Sequence, residues 1–144
     1  MCVQIAEVEV DPATGQVQLK KFTSTHNGGT VLNPLMHQGQ IEGGALTGIG
    51  YTLMEQVIIA DGKVVTANFG EYKIPTIKDV PVFKSSVTES LKGAGPYSSM
   101  PIGETSNVPT AAAIANAVED ACGVRITSLP ITAEKIYQAL HGAK

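Results

Sequence analysis

Between Gly39 and Leu53 the sequence reads GQIEGGALTGIGYTL, with apolar residues at roughly helical spacing (Ile41, Ala45, Leu46, Ile49, Leu53) and glycine at five of its fifteen positions. Each glycine inside a helix costs about 0.8–1 kcal/mol relative to alanine. A helix that carries this cost repeatedly has a use for missing side chains, because GxxxG-like spacing lets a second backbone come close. A dimer face in a bilayer is implausible, since Gln38, Gln40 and Glu42 interrupt the apolar surface. A phosphate-binding loop is excluded too: GGALTGIG lacks the Lys–Ser/Thr pair and does not directly follow a strand. Two readings remain. Either the helix packs tightly against another helix in the core, or a bulky rigid object, a cofactor or a neighbouring chain, lies against it.

The segments around this helix are punctuated clearly. Ala6, Val8 and Val10 alternate with Glu7 and Glu9, then DPATG (11–15) has turn chemistry and QVQLKKF resumes the alternation, so the chain opens as a hairpin. The phase changes at Lys20–Lys21, which suggests a bulge or the strand's end. THNGGTVLNP (25–34) reads as a loop, with Asn33 as N-cap and Pro34 at the first helical position of the glycine-rich helix, which runs to about Glu55. QVIIADGKVV predicts a second hairpin about Asp61–Gly62. NFGEYKIPTIKDVP is an extended loop, VFKSSVTES a candidate strand and LKGAGPYSSMPIGETSN (91–107) a second long loop. Residues 108–122 form an alanine-rich helix closed by Gly123, and RITSLP is a short strand or edge. The last helix has Thr132 as N-cap, Ile131 and Ile136 as a hydrophobic staple and Gly142 as its stop. This order predicts an α+β fold, a two-layer sandwich with helices on one face of a mixed sheet.

Length and composition limit the function classes. With 144 residues and 43% hydrophobic residues, residues 1–144 are expected to form a single domain whose core needs neither metal nor disulfide. A net charge of −3 without a long basic run gives no footprint for nucleic acid. No apolar run approaches the length of a membrane span, and the polar start does not read as a signal peptide. Cys2 and Cys122 form no CxxC pair and no iron–sulfur spacing, so a reduced, cytoplasmic setting is the simplest reading, although a bridge between them stays open. His26, His37 and His141 lack metal-ligand spacing with each other or with cysteine; they are expected at the surface or hydrogen-bonded, and no metal ligand is assigned. Tyr72–Lys73 are either binding residues or ordinary snorkelling side chains.

Glu104, in PIGETSNVP, precedes a helix start, where the macrodipole favours an ionised carboxylate. A positioned, ionised carboxylate is a candidate general base. The plainer reading is a simple helix-start acid.

Three stretches in order, GQIEGGALTGIGYTLMEQ, NFGEYKIPTIKDVP and PIGETSNVPTAAAIANAVEDACGVRITSLPITAEKI, together with the opening AEVEVDPATGQVQLKKF and HNGGTVLNP, carry a resemblance over essentially the whole chain. The sequence resembles the C-terminal region of the molybdenum-cofactor subunit of the xanthine dehydrogenase / aldehyde oxidase family. The resemblance implies a molybdenum-cofactor-binding-domain-like fold in which the glycine-rich helix, with Gly39, Gly43 and Gly44, lies beside molybdopterin. It implies that Gln40 contacts that cofactor, that Ile102 and Gly103 belong to the same site, and that Glu104 stands next to the molybdenum as the catalytic base. The implied reaction is oxidative hydroxylation of an N-heterocycle or an aldehyde, with electrons leaving through [2Fe–2S] clusters to flavin (FAD) on partner subunits. The implied partners are the remainder of the molybdenum subunit, the iron–sulfur and flavin subunits and a small-molecule substrate. The chain departs from the family pattern in having Ser99-Met100-Pro101-Ile102-Gly103-Glu104 where Ala-Lys-Gly-Val-Gly-Glu is frequent, and Thr105–Ser106 where prolines usually follow the base. The expectation is therefore a fragment or split subunit of a molybdenum hydroxylase. The alternative is a structural or assembly domain that keeps the fold without turnover.

Overall fold

The computed structural model describes residues 1–90 and 92–142; within the long loop read from Leu91, that first residue lies outside the described part. The chain folds as a three-stranded mixed sheet with its helices on one face. Strand β1 (Cys2–Val10) pairs antiparallel with β2 (Val17–Gly29), and β2 pairs parallel with β5 (Val82–Glu89), giving the order β1-β2-β5. Between β2 and β5 run helix α1 (Pro34–Leu53) and a small hairpin of β3 (Ile59–Ala60) and β4 (Lys63–Val64). Helices α2 (Thr110–Cys122) and α3 (Ala133–His141) complete the layer.

Local chemistry accounts for most boundaries. The first turn closes as Asp11 accepts from the Ala13 and Gly15 amides, and Gly15 takes a positive φ of 74°. The phase change at Lys20–Lys21 is a bulge: Glu7 pairs with Lys21 and Val8 with Leu19, which leaves Lys20 without an opposite residue. The Asn33 side chain accepts from the Met36 amide with Pro34 at the first helical position, and Thr132 caps α3 through the Lys135 amide. Gly123 ends α2 at φ 75°.

Two sequence expectations are corrected. The segment from Thr25 to Gly29, read as loop, continues β2. As the central strand it is paired on both sides, His26 with Cys2 and with Val87, and that double ladder overrides the poor strand propensity of Asn-Gly-Gly. The segment RITSLP forms no strand. Its alternation is real, with Val124 and Ile126 half-buried against the core and Arg125 and Thr127 exposed, but it lies over the core without a ladder partner.

The core lies between the sheet and the helices. Leu19 and Phe22 from β2, Ala45 and Ile49 from α1, Ile114 and Val118 from α2, and Ile131 and Ile136 at α3 form one buried cluster. The Phe22 and Phe83 rings tilt against each other with centroids 5.7 Å apart. On α1 the buried positions Ile41, Ala45, Gly48, Ile49 and Thr52 form one stripe, with Gly50 buried beside it. The hairpin and loop from Val57 to Val80 contribute nothing to that cluster and leave Ile59, Phe69 and Ile77 exposed. No helix among the described residues is long and apolar enough to cross a membrane.

Phe22 is fully buried and Phe69 is 76% exposed. Phe22→Ala is expected to lower the unfolding free energy by about 3–5 kcal/mol through cavity formation. Phe69→Ala should stay within about 0.5 kcal/mol of the parent. Urea denaturation of the chain measures both.

Candidate functional site

At the end of the sheet where β2 runs out, residues 98–100 are drawn back against it. The Thr30 amide donates to the Ser98 carbonyl and the Met100 amide to the Gly28 carbonyl. Gly29 sits at φ 62°, with the Ser98 carbonyl where a Cβ would lie, so only glycine allows this approach. The loop then passes the first turns of α1. Between them opens a cleft of about 450 Å³, lined among others by Met36, His37 and Gln40 of α1 and by Met100, Ile102 and Gly103 of the loop. Gln40, Ile102 and Gly103, singled out from sequence, are thus brought together, and the Gln40 side-chain amide donates to the Gly103 carbonyl at 3.4 Å. A larger concavity of about 860 Å³ beside the first turn contains none of the singled-out residues.

Glu104 follows Gly103 directly and is exposed, but it is not among the residues that line the cleft. It opens a 3-10 turn, Glu104–Ser106, and α2 begins only at Thr110. Its placement therefore depends on that turn, whose first residue it is, rather than on the first turn of α2. The expected glycines divide into two groups. A Cβ added at Gly39 or Gly43 would meet nothing within 4 Å, so both present bare backbone to open space. At Gly44 a Cβ would collide with the Ser106 hydroxyl, and at Gly48 with the Thr110 side chain. The close-packing reading of this helix holds at Gly44 and Gly48, while Gly39 and Gly43 face open space.

Sequence reasoning missed Gln4, Ser106 and Thr110. The Gln4 amide donates to the Ser106 carbonyl at 2.6 Å and to the Ser24 hydroxyl at 3.1 Å, while its Oε1 accepts from the Thr110 hydroxyl at 2.7 Å. Ser106 Oγ in turn lies 3.0 Å from the Gly103 carbonyl and 3.3 Å from that of Gln40. Ser24, Ser106 and Thr110 are wholly buried. One signal was available: in the inward-facing series Cys2, Gln4, Ala6, Val8, Val10, glutamine is the large polar member. Tyr72 does not line the cleft. Its hydroxyl donates to Glu55 Oε2 at 2.6 Å and ties its loop to the end of α1, and this bond to a carboxylate raises the phenol's pKa.

The imidazoles near the cleft are held neutral. His26 is buried, with Nε2 3.1 Å from both Cys2 Sγ and Ser24 Oγ. Burial pushes its pKa below the usual value, and the nearby His37 and N-terminal amine add to the shift. Burial likewise raises the Cys2 thiol and lowers His37. His37 Nε2 is buried with no hydrogen-bond partner among the described residues. Among the described residues no lysine or arginine lines the cleft, and no three histidine, cysteine or acidic side chains cluster as metal ligands.

Comparison with known proteins gives a consistent result. A family model for the molybdopterin cofactor-binding domain matches residues 1–81. The xanthine dehydrogenase molybdenum-binding subunit of Escherichia coli O157:H7 is 38% identical over 137 residues, 94% of this chain and 18% of that protein. The 6-hydroxypseudooxynicotine dehydrogenase complex subunit gamma of Paenarthrobacter nicotinovorans is 35% identical, over 97% of this chain and 18% of its own length. Among solved structures, aldehyde oxidoreductase from Desulfovibrio gigas superimposes with a TM-score of 0.89 at 35% identity, over 96% of this chain and 15% of that one. Quinoline 2-oxidoreductase from Pseudomonas putida 86 gives 0.84 at 32%, over 95% and 18%. The chain thus spans about a fifth of the length of the relatives it matches.

The neutral histidines link stability to pH. With folded pKa values below the ordinary histidine value of about 6.5, the unfolded chain binds more protons in that window. Stability is therefore complete above about pH 6.5 and falls as the pH drops from there through the depressed folded values. Urea denaturation between pH 5 and 8 should show this slope, and His26→Gln should flatten it.

Proposed function

The chain belongs to the molybdopterin cofactor-binding domain family, and from that premise we propose that it is one domain from the C-terminal part of a molybdenum hydroxylase subunit, supplying the catalytic glutamate and one wall of the cofactor site. The observation that carries this reading is the meeting of Gln40, Ile102 and Gly103 in one cleft with Glu104 as the next residue.

The residues present suit a flat, amide-rich pterin. Gly39, next to Gln40 in sequence, and Gly43, three residues after it, leave the α1 backbone bare, so a ring system that reaches that edge meets no Cβ. The Gln40 amide and the unpartnered His37 Nε2 are neutral hydrogen-bonding groups in or beside the same space. The anionic end of the cofactor finds no cation among the residues lining the cleft. Met100–Pro101 stand where the family pattern has Lys-Gly, so that charge is met by backbone amides or by the rest of the polypeptide.

When bound, the cofactor supplies the two-electron redox centre, with [2Fe–2S] and FAD groups on partner subunits as the electron outlet. The chain's own residues bind, orient and move a proton. Gln40 holds the pterin by a hydrogen bond, and Gly103 and Ile102 form the wall opposite α1. Glu104, exposed and next in sequence to Gly103 of the cleft wall, takes a proton at its carboxylate during hydroxylation of an N-heterocycle or an aldehyde. Partner polypeptide is needed to close the site, since relatives carry about five times this length of chain. The missing cation favours a second reading, a structural or assembly domain with the same fold.

In the assembled, cofactor-loaded protein, Glu104→Gln is expected to lower the rate of molybdenum reduction by substrate by about 10²–10⁴ while molybdenum content stays near the parent's. Gln40→Ala and Gly43→Leu should instead lower molybdenum content, the second without a loss of thermal stability, because nothing in the chain fills the space at Gly43. A parental reduction rate in Glu104→Gln would exclude Glu104 as the base and leave the structural-domain reading.

A further inference from the structure

We propose that Gln4 is a positioning residue for Glu104: its side-chain amide, on the opposite layer of the fold, clamps the turn that presents the carboxylate. This deepens the reading of Glu104 as the base and rests on it. Glu104 and the two residues after it form a single 3-10 turn with no regular element before α2. A turn this short has little stability of its own, so external contacts must fix it.

Those contacts come from two directions. From the sheet, Gln4 uses both ends of its amide, donating to the Ser106 carbonyl and accepting from the Thr110 hydroxyl, so it bridges the turn and the first residue of α2. Its second donated bond, to the buried Ser24 hydroxyl on β2, sets the orientation of that amide. From α1, Gly44 and Gly48 admit the Ser106 and Thr110 side chains against bare backbone, and Ser106 Oγ reaches the carbonyls of Gly103 and Gln40. Ser106 thus joins the residue before Glu104 to the helix that carries Gln40. Gln4 is half-buried and Ser24, Ser106 and Thr110 are buried, where an unpaired polar atom is costly, so removing the Gln4 amide leaves the Ser106 carbonyl and the Thr110 hydroxyl without partners. Gln4 touches neither the cleft nor Glu104, and its influence passes through the turn.

The test uses Gln4→Met, which keeps length and volume and removes all three hydrogen bonds, in the assembled protein. Amide hydrogen exchange should rise about tenfold at Asn107 and Thr110, whose amides close the turn and enter α2, while the β1–β2 hairpin from Val8 to Leu19 stays unchanged. In the loaded enzyme, molybdenum reduction by substrate should slow about tenfold at saturating substrate, with substrate affinity and molybdenum content retained. Should Gln4→Met fail to fold, Thr110→Val removes one of the same bonds and should give the same local pattern at smaller size. Unchanged exchange, exchange that rises uniformly across the chain, or a local rise with a parental reduction rate where Glu104→Gln is itself slowed each overturns the proposal. Glu104→Gln in the same assay reports separately on the base. If that variant keeps the parental rate while Gln4→Met loosens only the turn, the assignment of Glu104 is what has failed, not the clamp on its turn.

Discussion

The approach of two backbones at Gly44 and Gly48 is the constraint on which the rest of the structure depends. Helix α1 and the segment entering α2 come so close that the Ser106 and Thr110 side chains occupy the places of two absent Cβ atoms. Any larger residue would push the segments apart, and the cleft between α1 and the 99–103 loop would open with them. The helix-propensity cost of these glycines, about 1 kcal/mol each, is offset by buried hydroxyl contacts made only at that distance. The helix still faces the core through Ile41, Ala45 and Ile49. One face of α1 thus supplies stability, and its glycine edge supplies geometry.

The sheet gives this geometry a rigid reference. Strand β2 is paired on both sides along most of its length, and its extension to Gly29 carries order to the point where residues 98–100 fold back onto it. Each wall of the cleft therefore has an anchor: α1 packs on the sheet, and the loop hydrogen-bonds to the sheet's end. Gln4 reaches from β1 across to the turn, so all three layers of contact meet within a few residues of Glu104. Loops that bear function are commonly held in this way by a scaffold that does not move.

Electrically the region is quiet. His26 and His37 are kept neutral by burial, no cation lines the cleft, and hydrogen-bonding capacity comes from amides, hydroxyls and carbonyls. Such a wall offers shape and hydrogen bonds rather than charge. It also leaves the exposed Glu104 as the ionisable group closest in sequence to the loop wall of the cleft. The hairpin and loop from Val57 to Val80 lie outside the core and leave Ile59, Phe69 and Ile77 exposed.

The sequence by itself determined what local rules govern. The caps at Asn33 and Thr132, the turn at Asp11–Gly15, the bulge at Lys20, the Asp61–Gly62 hairpin and the stop at Gly123 were all legible, because each depends on a few neighbouring residues. The ordered motifs also pointed to the molybdopterin cofactor-binding family, which the comparisons bear out. Tertiary structure alone decided the rest. The extension of β2 through Asn27-Gly28-Gly29 came from pairing with strands distant in sequence, and RITSLP stayed out of the sheet because no edge met it. Of the five glycines of α1, alike in the sequence, Gly39 and Gly43 face open space, Gly44 and Gly48 face hydroxyl side chains of the segment entering α2, and Gly50 faces Glu55. Gln4 lies 102 residues from Ser106, and no periodicity within either segment encodes that contact; it exists because folding removes both groups from water and leaves each as the other's partner.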